Sequence, residues 1–224
     1  MIDYDIARAN MVESQVRPNS VTDRGLIDAM AAVPREAFLP RAVQALAYMD
    51  EDVTVAPAQD GQPARYMMQP MIFAQVVQLA EIQPGDLVLD VGCGLGYSSA
   101  VLARMADAVV ALECDEDMAQ TAADILVEQS VDNAAVVTGV LSEGYPSEGP
   151  YDAIMLNGAV SEVPQALLEQ LKEGGRLVAI VGEGPLGRAR LYKRHGDVFA
   201  EKTAFDATVA ALPGFADTEP AFAF

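Results

Sequence analysis

The run Val88-Leu89-Asp90-Val91-Gly92-Cys93-Gly94-Leu95-Gly96-Tyr97 ends an apolar segment in an acid and then places three glycines at alternate positions. Downstream, Val109-Val110-Ala111-Leu112 closes on Glu113. This layout describes a strand, a glycine turn entering a helix, and a second strand with an acidic tip. A doubly wound α/β domain grips a nucleoside with that arrangement. A dinucleotide fingerprint, G-x-G-x-x-G, fails in both registers. Counted from Gly92 its third glycine falls on Tyr97, and counted from Gly94 it falls on Ser99. A strand and a glycine turn alone also suit a plain tight connection with solvated acids. Glu113, at a fitting distance, favours the nucleoside reading.

The spacing D-x-G-x-G-x-G resembles motif I of the class I methyltransferases, which use S-adenosylmethionine (SAM). The ligand chemistry agrees with it. SAM carries an ammonium, a carboxylate, a ribose and a sulfonium, and no pyrophosphate. Gly92, Gly94 and Gly96 let the backbone pass close to the methionine end without Cβ clashes. Asp90 is placed to hold the ammonium, directly or through water. Glu113 can accept from both ribose hydroxyls at once.

At 224 residues the chain suits one large α/β domain with an accessory segment. A hydrophobic fraction of 51% and a mean hydropathy of +0.18 allow a sizeable core. No apolar run approaches the ~18–20 residues of a membrane span. Met1-Ile2-Asp3-Tyr4-Asp5 is acidic, which argues against a secretory signal. Two cysteines make no disulfide framework, so the expected setting is cytoplasmic and reducing. Cys93 and Cys114 fall on neighbouring strand ends, where a redox pair is conceivable, but two small buried thiols are the plainer expectation. A net charge of −19 opposes a phosphate backbone and argues against nucleic-acid partners. The one dense basic run, Arg188, Arg190, Lys193 and Arg194 with His195, alternates as a solvated strand face and its turn. His195 receives no catalytic role. Neither a metal site nor a membrane partner is expected, and the oligomeric state is open.

Apolar spacing predicts a helix over Ile6–Val16, broken by Arg17-Pro18-Asn19-Ser20, and a second helix capped by Thr22. Residues 51–66 lack periodicity and read as a loop. Residues 70–82 form a helix with Pro70 in its first turn. From there strands at 87–91, 108–113, 134–138, 151–156 and 176–181 alternate with helices at 97–106, 116–129 and 162–171, the last stopped by Gly174-Gly175. Strands near 188–194 and 198–206 close the chain as a hairpin. The expected fold is therefore α/β: a doubly wound, mostly parallel sheet of about seven strands with a C-terminal antiparallel hairpin and a helical N-terminal segment. Residues 1–224 form one domain in this reading, with 1–69 as opening segment and lid and 70–224 as core.

The opening half is more specific. Met11-Val12-x-x-Gln15, Asp28-Ala29-Met30-x-x-Val33-Pro34-Arg35-Glu36-x-Phe38-x-Pro40 and Ala47-Tyr48-x-Asp50 resemble the protein-L-isoaspartate O-methyltransferases. Gln69-Pro70, the glycine run, Gly139, Tyr151-Asp152-x-Ile154 and Leu171-x-x-Gly174-Gly175-x-Leu177-Val178 continue the resemblance in order. It implies methylation of the free carboxylate of isoaspartyl or D-aspartyl residues in damaged proteins or peptides, with SAM as cofactor. A carboxylate nucleophile is already ionised at neutral pH and needs no general base.

The pattern departs in the substrate loop. Where the family carries Thr-Ile-Ser-Gln-Pro, this chain has Tyr66-Met67-Met68-Gln69-Pro70. Met68 replaces the serine that meets the substrate and offers no hydrogen bond. Tyr66 replaces the threonine and is a candidate donor, with Gln69 beside it. Val140 follows Gly139 where the family has an acid facing the adenine amino group. Asp60-Gly61-Gln62-Pro63-Ala64-Arg65 lengthens the segment before this loop. Three readings follow: an isoaspartyl methyltransferase, a SAM enzyme with another acceptor, and a catalytically weak relative that binds a partner.

Overall fold

The computed structural model describes residues 2–59, 63–182 and 186–215. Helix α1 (Tyr4–Met11) runs through a π-turn over Val12–Val16, and α2 (Arg24–Ala32) follows. Thr22 does not cap α2. Asp23 does, its carboxylate accepting from the Leu26 amide at 3.0 Å, while the Thr22 amide donates to Gln78 Oε1. Asp and Thr both suit a cap; Gln78 Oε1 accepts from the amides of both, and the start of α2 at Arg24 puts Asp23 in the cap position.

Residues 51–66 are not all loop. Strands β1 (Val53–Ala56) and β2 (Arg65–Met67) pair antiparallel, Val53 opposite Met67 and Thr54 opposite Tyr66. Val53, Val55, Arg65 and Met67 turn inward while Thr54 and Tyr66 turn out. Such short alternation is below the reach of periodicity. Residues Asp60, Gly61 and Gln62 of the lengthened segment lie outside the described residues.

After α3 (Pro70–Leu79) come β3 (Leu87–Val91), α4 (Tyr97–Ala103), β4 (Ala108–Glu113), α5 (Glu116–Glu128) and β5 (Ala134–Thr138). Then β6 (Tyr151–Val160), α6 (Gln165–Glu169), β7 (Leu171–Val181), β8 (Gly187–His195) and β9 (Val198–Ala207) complete the order. The seven-stranded sheet runs β5-β4-β3-β6-β7-β8-β9. All pairs from β5 to β7 are parallel, and β8 and β9 add antiparallel. This matches the expected class, and the reason is visible in the burial. Val88, Val109, Met155 and Val178 face α2, α3 and α4, while Leu89, Val110, Ile154 and Leu177 face the side covered by α6. With both faces buried, the strands read as continuous apolar runs.

Helices α3 and α4 end three residues earlier than the sequence reading, at Leu79 and Ala103, and three further boundaries differ for visible reasons. α6 begins only at Gln165, because Pro164 holds the residue before it out of the helical region. Gly174-Gly175 is not its stop. These glycines form a bulge inside β7, with Gly174 at φ +74 and a Cβ on Gly175 only 2.8 Å from the Lys172 carbonyl. β6 continues past Leu156 to Val160, where Ala159 exchanges backbone hydrogen bonds with Ala210 and Leu212. The basic run is, as expected, on the terminal hairpin, and Arg190 and Arg188 pair with Glu201 and Asp206. Among the described residues no helix is long and apolar enough to cross a membrane.

Candidate active site

The turn from β3 into α4 holds Gly92, Gly94 and Gly96 at φ +74, +59 and +95, a region that L side chains avoid. The three glycines do different work. A Cβ on Gly92 would stand 2.6 Å from Leu212 Cδ2, so Gly92 serves packing, whereas one on Gly96 would make only an ordinary contact with Leu126 Cγ at 3.4 Å, and Gly96 is required by its backbone angle. A Cβ on Gly94 would meet nothing within 4 Å. Gly94 faces open space, and its N–H donates to Glu113 Oε2 at 2.9 Å.

Asp90 is fully buried at the end of β3. Ser98 and Ser99 hydroxyls, from the first turn of α4, donate to Oδ2 at 2.7 and 2.6 Å, and Asn157 Nδ2 donates to Oδ1. Asn157 lies on β6, across the switch point where strand order reverses beside β3. Burial pushes the Asp90 carboxyl up, and the three donors only partly offset it. A folded-state value above the unfolded one means that stability falls as pH rises through it. Asp90→Asn should therefore melt higher than the native chain at neutral pH, by about 2–4 °C for each kcal/mol removed. The gap should close in acid, where Asp90 takes a proton. Thermal melts across pH check this, and a lower-melting variant at neutral pH would refute it.

Glu113, also fully buried, ends β4. Arg65 from β2 grips it with two parallel bonds, Nη1 to Oε1 at 2.6 Å and Nη2 to Oε2 at 2.7 Å. The Cys114 amide donates to Oε1 at 2.8 Å. Burial raises the Glu113 carboxyl, but Arg65 and the Gly94 and Cys114 amides outweigh it, and the net displacement is downward. On the Gly94 side lies a void of about 30 Å³ bordered by Met68, Tyr66 and Tyr97. On the Arg65 side lies a cleft of about 410 Å³ bordered by Cys114, Asp115, Asp117 and Met118.

The opening segment supports this turn from behind. Arg35 is fully buried, donates to the Ala47 and Met68 carbonyls, and lies 4.8 Å over the Tyr97 ring. Phe38 packs edge-on against Tyr97 at 5.9 Å. Tyr48 donates to Glu36, and Gln15 donates to the Tyr48 carbonyl at 2.8 Å. Residues scattered along the opening segment thus form one scaffold that holds Met68 and the start of α4. Asp52 accepts from the Gln69 amide at 2.8 Å, just ahead of α3.

Around this frame, Met68 is buried, Tyr66 is 41% exposed at the mouth, and Gln69 is the N-cap of α3. Val140 is 53% exposed after β5, where the Gly139 amide donates to the Glu113 carbonyl. The thiols differ from expectation in one respect: Cys93 is buried but Cys114 is exposed, because it leaves β4 toward the cleft. Burial, with Asp90 and Glu113 nearby, pushes the Cys93 thiol well up, which makes it inert as a nucleophile.

Comparison with known proteins adds the family. The family model described as Protein-L-isoaspartate(D-aspartate) O-methyltransferase matches residues 7–210. The chain belongs to this family. A relative from Methanoculleus marisnigri, a protein-L-isoaspartate O-methyltransferase, is 40% identical over 192 residues, covering 85% of this chain and 84% of its own. Another of that name from Methylorubrum extorquens is 38% identical over 198 residues, covering 88% and 83%. A solved protein-L-isoaspartate O-methyltransferase superposes with a TM-score of 0.81 at 25% identity, over 92% of this chain and 66% of that one. This chain therefore spans about two thirds of that neighbour. A Plasmodium falciparum structure holding S-adenosyl-L-homocysteine shares the fold, with a TM-score of 0.75 at 18% identity.

The fold brings Asp90, Gly92, Gly94, Gly96 and Glu113 together at the sheet's carboxyl edge, with Tyr66 and Met68 across the void. Sequence reasoning missed Arg65 and Asn157 as site residues. Asn157 was within reach, since it follows a strand flanking the switch point. Arg65 stood out only as a cation beside apolar residues in a strongly acidic chain.

Proposed function

We propose that this chain transfers the methyl group of SAM to the side-chain or α-carboxylate of isoaspartyl or D-aspartyl residues in damaged proteins. The observation that carries it is the pair of buried carboxylates, Asp90 on β3 and Glu113 at the end of β4, at the two strands joined through the glycine turn, in a chain of this family. The donor set fits the cofactor. Asp90 keeps one acceptor position on Oδ1 for an ammonium, Glu113 suits a ribose diol, and Val140 offers an apolar face to a base. Gly94 admits a ligand where any side chain would intrude. SAM supplies a sulfonium-bound methyl as electrophile. The acceptor carboxylate arrives ionised, so the protein's task is in-line positioning and exclusion of water. The β1–β2 hairpin and the start of α3 form the mouth for it, with residues 1–69 acting as opening segment and lid of one domain spanning 1–224. A reducing, cytoplasmic setting suits the two free thiols.

A panel of isoaspartyl and normal aspartyl peptides with methyl-labelled SAM tests this. Base-labile label on isoaspartyl peptides alone is expected. A different acceptor is the second reading, favoured by buried Met68 at the serine's place; label absent from every isoaspartyl peptide, with SAM bound, would select it.

Met68 leaves acceptor lone pairs without a donor, which costs about 1–3 kcal/mol. Met68→Ser should raise isoaspartyl turnover by about tenfold per 1.4 kcal/mol regained. If Tyr66 has taken over the contact, Met68→Ser changes little and Tyr66→Phe abolishes turnover. Steady-state rates on the same peptides separate the two.

A further inference from the structure

The Glu113 carboxylate is saturated by the protein itself. Its two oxygens offer about four acceptor positions. On Oε1, Arg65 Nη1 at 2.6 Å and the Cys114 amide at 2.8 Å are joined by longer contacts from the Asp115 amide at 3.3 Å and the Cys114 thiol at 3.4 Å, and on Oε2 stand Arg65 Nη2 at 2.7 Å and the Gly94 amide at 2.9 Å. A ribose diol needs two of these positions. The amides are fixed by the β3–α4 turn and the end of β4, so the side chain is the one that leaves. We propose that Arg65 is a latch on the nucleoside site, which SAM opens by exchanging its ribose hydroxyls for the guanidinium on Glu113. The proposal rests on the reading that Glu113 takes the ribose.

The surroundings suit a two-position element. The ion pair stands between the small void at Gly94 and the larger cleft at Cys114. A void of about 30 Å³ is far below the ~300–1,000 Å³ of a small-molecule site. Withdrawal of Arg65 joins the two spaces into one groove past Glu113. The released guanidinium finds Asp115 and Asp117 lining the same cleft, so its charge need not remain unpaired. Arg65 belongs to β2, the strand that also carries Tyr66 and leads into Met68. Opening the latch therefore loosens the hairpin that borders the acceptor's mouth, and cofactor binding precedes acceptor binding.

A closed latch lowers apparent affinity by the fraction of molecules that are open. Calorimetric titration with S-adenosylhomocysteine should give Arg65→Gln about tenfold or more tighter binding than the native chain, with Arg65→Lys in between, since one ammonium cannot reproduce the fork. Equal or weaker binding by Arg65→Gln overturns the latch. Adenosine with Glu113→Gln separates this from the underlying reading. Adenosine affinity unchanged in Glu113→Gln refutes the ribose assignment, and the latch with it. Weakened adenosine binding without tightening in Arg65→Gln refutes the latch alone. If Arg65→Gln does not fold, the native chain still decides: the guanidinium NMR signal of Arg65, assigned by its loss in Arg65→Lys, should change from a rigid fork to a mobile group on saturation with S-adenosylhomocysteine. A signal unmoved at saturation overturns the proposal.

Discussion

Replacing Glu113 by alanine is expected to cost the chain both cofactor affinity and much of its stability. The ribose loses two charge-assisted hydrogen bonds, each worth about 1.5–3 kcal/mol. Part of that is already offset in the native chain, because the ribose replaces Arg65. Binding of S-adenosylhomocysteine should thus weaken about tenfold to a hundredfold. Stability falls for a separate reason. Arg65, whose side chain is only 10% exposed, is left without its partner, and stranding one member of a buried pair costs about 3–5 kcal/mol. With Arg65 at the wet edge of that class, a loss near 3 kcal/mol and a melting point lower by about 6–12 °C are expected. The pH dependence carries a definite sign. The folded Glu113 carboxyl is held below its unfolded value, so its contribution is complete above the unfolded value and fades as pH falls through the folded one. Melts of native and variant chains should converge in acid. Glu113→Ala combined with Arg65→Ala should regain part of the loss, since it removes the stranded charge. Equal melting of native chain and Glu113→Ala at neutral pH would show that the pair contributes no net stability.

Gly94→Val is the second large effect, and it should fall on binding much more than on folding. The added Cβ meets no protein atom within 4 Å, so no repacking is required. The backbone at φ +59 imposes about 1–2 kcal/mol of strain on an L residue. The isopropyl group then fills the space beside the Glu113 carboxylate that the cofactor needs. Calorimetry with S-adenosylhomocysteine should find no measurable binding to a chain that still melts cooperatively. Gly92→Ala should behave in the opposite way. Its methyl group drives into Leu212 at 2.6 Å, and stability drops whether or not ligand is present. Native-like affinity in Gly94→Val would remove this turn from the cofactor site.

The sheet was legible because its causes are local in sequence. The strands of the parallel core are buried on both faces and so remain apolar throughout, as Val109-Val110-Ala111-Leu112 is. The connections carry their own punctuation in glycines and prolines. Asp90 and Glu113 were legible because a strand end in such a sheet always points to the same edge. The errors have equally local causes. Strands of three or four residues, β1 and β2, are too short to show a period, and Thr22 and Asp23 are adjacent competent caps that only the exact start of α2 at Arg24 tells apart.

The sequence by itself determined the succession of strands and helices, the mostly parallel sheet with its terminal hairpin and the family, because periodicity, glycine spacing and the Val33–Pro40 run are properties of contiguous residues. Only the tertiary structure decided what each residue there does. It left open space beside Gly94 and set Gly92 against Leu212, joined Arg35 to Met68, and set Arg65 on Glu113 from a hairpin 48 positions away. Hydrogen-bond saturation and the space beside a Cβ depend on atoms brought from distant parts of the chain, so no pattern of neighbouring residues encodes them.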